Sequence, residues 1–385
     1  MYSLFIVIDK IIFVIMAVTV CYLLLFSLFS LKKGGISSFI STKKARFLIL
    51  IPAYKEDSVI MDSVNSVLAQ DYPKEKMDIV VISDKMSDDT NSKLSELSLK
   101  LFAIDPKKSS KGYAMNYAME NINDANYNLV VVLDADNVVD KDFLSNLNNA
   151  FNRGSLAIQA HRVAKNINSE VALLDAISEE INNSIFRRGH VNMGLSSALI
   201  GSGMAIEYKW FRANSGKLVS AGEDKELEIL LLKDHIYIDY LDHVLVYDHK
   251  IEKEGAFYNQ RRRWLAAQLW SLSVGLKHIP KALLRGNFDY VDKIFQWILL
   301  PRIVVVGLIS IMSVVTLFVA IELSIKWWII LLLLLFAFAA ATPDYLITKK
   351  TSKAIKRLPL LFILMVFNMF RLKGASKNFI HTKKG

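Results

Sequence analysis

The chain has 385 residues, 53% of them hydrophobic, and a mean hydropathy of +0.31, which excludes an ordinary soluble enzyme. Its 47 Lys and Arg against 37 Asp and Glu leave a formal charge of +10. The basic residues flank apolar runs and form no compact basic-aromatic patch, which argues against nucleic-acid binding. The single cysteine, Cys21, excludes an intrachain disulfide framework and a cysteine-rich zinc site.

In chain order, Ile11–Leu31 is uncharged and long enough to cross a bilayer. It lacks a basic start and a small-residue cleavage site, so residues 1–33 read as a retained anchor. From about Arg46 the composition is that of a globular domain. Phe47–Ile51 reads as a strand, Asp57–Ala69 as a helix and Asp78–Ser83 as a strand. A helix follows near Asp88, Lys111–Asn121 is helical, and Leu129–Leu133 is the next strand. This βαβαβ rhythm implies an α/β fold with a doubly wound, mostly parallel sheet. Ser155–Ala160 then reads as a strand, Ser169–Arg187 as a long helix, and a helix follows Glu223-Asp224. Gln260–Trp264 lies on a helix entering the membrane-proximal segment Leu265–Leu284. Ile303–Ile321 and Trp327–Pro343 are two further apolar runs. Leu358–Phe370 is too short to span and reads as an interfacial helix.

The expected divisions are therefore an anchor (1–33), an α/β domain (46–265), membrane-proximal helices (266–300), two spans (301–347) and a basic, interfacial tail (348–385). Lys32, Lys33, Lys43, Lys44 and Arg46 follow the first span. Lys349, Lys350, Lys353, Lys356 and Arg357 follow the third. Positive charge marks the cytoplasmic side, which places the α/β domain and the tail, with Arg371, Lys373, Lys377, Lys383 and Lys384, inside. An integral protein of a bacterial inner membrane is the expected location. A transporter would bury polar groups in its spans, and these read as nearly free of them.

The densest chemical signal is Val130–Asp136, where a buried strand ends in two carboxylates. Ligands sit outside the carboxyl ends of parallel strands, and neighbouring carboxylates repel unless a cation lies beside them. A hard divalent ion bridging to phosphates resolves this for Asp134 and Asp136; taken alone, the pair also fits a solvated loop. Pro52-Ala53-Tyr54-Lys55-Glu56 follows the first strand and Asp84 the second, and convergence of all three favours a nucleotide crevice. The absence of Gly-X-Gly-X-X-Gly and of a Walker loop argues against dehydrogenases and P-loop enzymes. Lys111-Gly112 offers one cation to a diphosphate, or is an ordinary helix start. Gly201 and Gly203 allow close backbone approach to a ligand or to a neighbouring strand. Glu223-Asp224 at a helix start either complements its dipole or supplies a general base. Gln260-Arg-Arg-Arg263-Trp264 is a basic juxtamembrane helix, or a stacking face with a cation for a departing diphosphate.

Pro-Ala-Tyr-Lys-Glu (52–56), Asp84 in Ser-Asp-Lys-Met-Ser-Asp-Asp-Thr, Lys111-Gly112, Asp134-Ala-Asp136, Glu223-Asp224 and Gln-Arg-Arg-Arg-Trp (260–264) stand in one order. Over about Phe47–Trp264 they resemble the membrane-bound glycosyltransferase family 2, including its cellulose-synthase-like and hyaluronan-synthase-like members. The resemblance implies a GT-A fold, Rossmann-like, in a cytoplasmic domain flanked by transmembrane helices. It implies a UDP-sugar donor held by Pro52, Ala53, Tyr54, Glu56, Asp84, Lys111 and Asp134, with Asp84 at the uracil. A divalent cation, Mg²⁺ or Mn²⁺, would sit on Asp136 and Asp134. Asp224, beside Glu223, would act as base, with Gln260, Arg263 and Trp264 at the acceptor and diphosphate. His249 is a further candidate for the metal. Gly222 and Lys225 depart from the family pattern, where Thr and Leu are common.

The implied activity is inverting transfer to a growing glycan or lipid-linked acceptor in cell-surface polysaccharide synthesis. Processive synthesis would need a homo-oligomer or an export partner to complete a channel. Single-sugar transfer to a lipid, as in ceramide-glucosyltransferase-like enzymes, and a non-catalytic scaffold of an export complex are the alternatives. The remaining expected partner is the lipid bilayer.

Overall fold

A computed structural model describes residues 2–32, 39–107, 109–123, 126–220, 222–252 and 254–371. Lys33, Ala221 and the tail residues Lys373, Lys377, Lys383 and Lys384 lie outside the described residues. Eight strands form one sheet among them: β1 (Phe47–Tyr54), β2 (Met77–Asp84), β3 (Lys100–Ile104), β4 (Leu129–Val132), β5 (Val138–Val139), β6 (Ala157–Ala164), β7 (Met204–Glu207) and β8 (Ile238–Asp248). Their order is β3-β2-β1-β4-β7-β6-β8-β5. The first four run parallel. β7 is antiparallel to both neighbours, while β8 is parallel to β6 and antiparallel to β5.

The continuous apolar runs follow from a sheet covered on both faces. Alternate residues of β1 serve opposite cores. Ile49 and Ile51 pack with Val64 and Leu144, from the helices Ile60–Leu68 and Phe143–Asn152. Leu48 and Leu50 pack with Met115 and Leu227, from Lys111–Asn121 and Glu223–Lys233. Because β1, β2 and β4 are parallel, their carboxyl ends meet on one edge, where Tyr54 is in register with Asp84. Lys55 (φ 54°) and Lys85 (φ 56°) turn left-handed directly after β1 and β2, a conformation uncommon for residues with a Cβ. Lys55 N–H donates to the Asp84 carbonyl (3.2 Å).

Among the described residues, three helices are long and apolar enough to cross a membrane: Ser3–Ser30, Arg302–Val319 and Ile321–Ala341. Two boundaries differ from those expected. The first helix runs from Tyr2 through Asp9 and Lys10, and the last starts at Ile321 and carries Glu322 and Lys326. The expectation of spans nearly free of polar groups is corrected accordingly. Asp9 is fully buried; it accepts a hydrogen bond from Trp327 Nε1 (2.7 Å) and forms an ion pair with Lys326. Met16, Val20, Leu23, Ile309 and Leu334 pack alongside. The expected long helix Ser169–Arg187 is helical over Glu170–Asn182 and continues as a π-helix over Asn183–Gly189. A Cβ on Gly189 would lie 2.2 Å from the Phe26 carbonyl oxygen, so glycine lets this turn abut the first helix. Leu358–Phe370 forms the expected helix and packs against Glu254–Gly275 and Arg302–Val319.

Stranding one member of a buried ion pair costs about 3–5 kcal/mol. Lys326→Met therefore lowers the Tm of the detergent-solubilised protein, and adding Asp9→Leu restores most of it. Equal losses in the single and double variants would refute this pairing.

Candidate active site

A cavity of about 1080 Å³ opens at the carboxyl edge of the sheet. The end of β1 contributes Pro52, Ala53, Tyr54 and Glu56 to its wall, β2 contributes Asp84, and the turn after β4 contributes Asp134 and Asp136. Lys111, Glu223 and Asp224 come from the starts of two helices, and Gln260, Arg263 and Trp264 from the helix Glu254–Gly275. Every site residue expected from sequence thus lines one cavity.

The turn after β4 is tight: Asn137 N–H donates to the Asp134 carbonyl (3.0 Å), and Asn137 Oδ1 accepts from Asp134 N–H (3.1 Å). It aims both carboxylates at Asp248, the last residue of β8. Asp134, Asp136 and Asp248 each offer one ligand oxygen, and these lie within 4.8 Å of one another. Three hard oxygen donors suit Mg²⁺ or Mn²⁺. Asp248, not seen as a ligand from sequence, stands where His249 was considered. His249 instead donates its backbone N–H to Asp136 Oδ2 (3.3 Å).

Cations hold these acids together. Lys111 forms an ion pair with Asp134 and donates to the Gly201 carbonyl (2.7 Å). Lys250 Nζ lies 3.0 Å from Asp248 Oδ2, and Arg162 Nε lies 3.9 Å from the same atom. Behind them Glu179, buried, meets Arg162 (2.9 Å), Arg187 (3.1 Å) and Lys250 (3.9 Å). Burial opposes its charge, yet these cations hold its carboxyl well below the usual carboxylate range.

Across the cavity, Glu223 Oε1 is 3.8 Å from Lys111 Nζ. Burial pushes the Glu223 carboxyl up to about 7; Lys111 pulls it down and Asp224 adds to the rise. Burial also lowers the Arg263 guanidinium, against the attraction of Glu223, Asp134 and Asp224. Arg263 therefore faces the same carboxylates. The stack on Trp264 is made by a different residue: the Arg261 guanidinium sits 4.6 Å from the Trp264 ring centroid and is paired with Asp175. Asp84 is 3% exposed; burial raises its carboxyl, and the nearby Ser109 hydroxyl and Lys85 charge counter this.

The glycines separate into two kinds. Gly201 (φ +80°) brings its backbone to the site, since an added Cβ would lie 3.3 Å from Glu223 Oε1. Gly203 (φ +62°) serves strand packing, its Cβ position being 2.7 Å from Val246 Cγ2. Gly222 is explained by helix packing: a Cβ there would lie 2.6 Å from Ala267 Cβ. Lys225 is paired with Glu228 (3.3 Å), which also meets Lys293 (3.4 Å) and accepts from Leu199 N–H (2.6 Å).

Residues 45–267 match the family described as glycosyltransferase-like family 2. The chain belongs to that family. Within glycosyltransferase family 2 it is 35% identical over 96 residues to poly-β-1,6-N-acetyl-D-glucosamine synthase of Staphylococcus aureus, which covers 24% of this chain and 22% of that protein. It is 26% identical over 103 residues to the poly(ribitol-phosphate) β-N-acetylglucosaminyltransferase TarS of the same species, covering 26% of this chain and 18% of TarS. The matches thus span about a fifth of these relatives' lengths. The fold is similar to that of the mannosyltransferase PcManGT from Pyrobaculum calidifontis, solved with GDP-Man and Mn²⁺. The TM-score is 0.53 at 16% identity, over 86% of this chain and 97% of that one.

Losing one of three carboxylate ligands weakens a cation site by at least about tenfold, the lower end of the loss seen for supporting residues alone. Asp248→Asn accordingly raises the Kd for Mn²⁺, read by electron paramagnetic resonance titration of the full chain. An unchanged Kd would exclude Asp248 from the site.

Proposed function

We propose that this family 2 chain is a membrane-bound, inverting glycosyltransferase that moves a sugar from a UDP-sugar to the hydroxyl of a glycan or lipid-linked acceptor. The observation that carries the reading is the convergence of Asp84, the Asp134–Asp136–Asp248 group and the Glu223-Asp224 pair on one cavity beside Lys111 and Arg263. The names of both staphylococcal relatives contain N-acetylglucosamine, so UDP-N-acetylglucosamine is the first donor to test. The basic residues after the first and third apolar helices support a site on the cytoplasmic side.

In this reading Pro52, Ala53, Tyr54 and Glu56 wall the nucleotide and Asp84 meets the uracil. Asp134, Asp136 and Asp248 would hold a divalent cation, which when bound neutralises charge on the diphosphate. Lys111 and Arg263 present positive charge to the departing UDP. Asp224 accepts the proton of the acceptor hydroxyl as its oxygen bonds the anomeric carbon and the carbon–oxygen bond to UDP breaks. One in-line displacement inverts the configuration. Gln260 and Trp264 line the acceptor side. The helix Phe288–Ile298, with Phe288 and Ile298 exposed, rests on the cytoplasmic leaflet.

Membranes carrying the full chain, given a panel of UDP-sugars, release UDP with one of them. Asp224→Asn lowers that release by about 10²–10⁴-fold while UDP binding persists. A fully active Asp224→Asn variant would remove the proposed base and favour the scaffold reading. The size of the product separates polymer from single transfer.

Protonated below about 7, Glu223 carries no charge to share Lys111 with Asp134. Above that pH the ionised form draws on Lys111 and Arg263, the cations that face the diphosphate, so kcat/KM for the UDP-sugar falls through about pH 7. Glu223→Gln removes this limb of the profile; a limb that survives the substitution would assign it to another group.

A further inference from the structure

The cavity that gathers the carboxylates does not close at the membrane boundary. Its wall continues past Leu300 and Arg302 onto the apolar helices, where Val306, Gly307, Phe338, Ala339 and Phe362 line it. A polysaccharide needs hydrogen-bond partners for its hydroxyls and loses free energy where none exist, whereas a hydrocarbon chain needs none. Glycine at 307 sets the geometry of this stretch: a Cβ there would lie 2.2 Å from the Phe362 ring, so the two helices cross in close contact beside the groove.

Arg302 stands where the polar wall gives way to the apolar one. Its Nη2 donates to the Ser178 carbonyl (2.8 Å) and Oγ (2.9 Å), both neutral. Its Nη1 is buried without a hydrogen-bond partner. The charges that reach Arg302 are two further cations, Arg261 and Arg187, and Glu179. Glu179 already serves Arg162, Arg187 and Lys250, and Arg261 has taken Asp175. A guanidinium with one buried nitrogen left unpartnered calls for an anion, and its planar fork matches phosphate oxygens.

Resting on the glycosyltransferase reading, we infer that the acceptor is an amphiphile whose hydrocarbon tail lies in this groove and whose phosphate-type anion meets Arg302. Its sugar-accepting hydroxyl is directed toward Asp224. The membrane helices thereby serve as part of the acceptor site as well as an anchor.

The test uses the full chain in nanodiscs of neutral phosphatidylcholine and a dodecyl phosphate probe with a diazirine in its chain. After photolysis, mass spectrometry maps the adducts. The expected label falls on Val306, Phe338 or Phe362. Dodecyl phosphate competes at least about tenfold better than dodecanol, as a charge-assisted contact requires, and inorganic phosphate does not compete. Arg302→Gln abolishes the preference for the phosphate and Arg302→Lys keeps most of it. Ala339→Trp, filling the groove, lowers labelling several-fold. Retained UDP binding certifies the fold of each variant, and the wild-type competition decides the matter by itself should a variant not fold. Label confined to outward residues such as Phe318 and Ile325, equal competition by dodecanol, or protection by a soluble oligosaccharide would overturn the inference. Failure here with UDP release intact removes the lipid acceptor and leaves the glycosyltransferase reading standing. Specific labelling without UDP release removes that reading instead.

Discussion

The structure depends on how negative charge is held at the ends of parallel strands. Asp84, Asp134, Asp136 and Asp248 sit together at one sheet edge, with Glu223 and Asp224 opposite. Such crowding is unfavourable unless cations lie among the acids. Lys111 supplies one from a helix start, bridging Asp134 toward Glu223. Lys250 and Arg162 supply two more, tied through Glu179 to the helix Glu170–Asn182. These pairings fix the carboxylates in place and leave Asp134, Asp136 and Asp248 able to share a divalent ion.

The same constraint links the site to the helices Phe288–Ile298 and Glu254–Gly275. Glu228 lies one turn beyond Asp224 and is fully buried between Lys225 and Lys293. Lys293 belongs to Phe288–Ile298, so the helix that presents Asp224 is bonded to one lying beside the bilayer in the proposed arrangement. Gly222 lets that helix start close against Ala267 of Glu254–Gly275, which carries Gln260, Arg263 and Trp264. The two departures from the family pattern, Gly222 and Lys225, are therefore packing and ion-pairing features of this contact.

Local signals were the legible ones. The β-branched run Val130–Val132 ending in Asp134 and Asp136 announced a strand and its chemistry together, and Lys111–Asn121 has the bounds its pattern predicts. Pro52, which cannot donate to a ladder, directly follows the expected end of β1 at Ile51. The strand runs on to Tyr54 because β4 pairs only as far as Leu50, leaving β2 as its partner there. β7 is four residues long behind Gly203, and β8 mixes Asp and His into its alternation, so neither carries a strong periodic signal. What remained hidden was non-local. Asp248 joins Asp134 and Asp136 only when β8 lies beside β6, and Asp9 belongs in an apolar helix only because Lys326 and Trp327 meet it. The cavity's passage from the acids to the long apolar helices has no sequence signature, since its walls come from segments hundreds of residues apart.

Calorimetric titration of UDP into the full chain, with Mn²⁺ and then with a chelator, tests most directly whether these strand-end acids form a cation-dependent nucleotide site. The account predicts UDP binding that depends on the divalent ion and weakens by at least about tenfold without it. UDP binding of equal affinity in both conditions would contradict it.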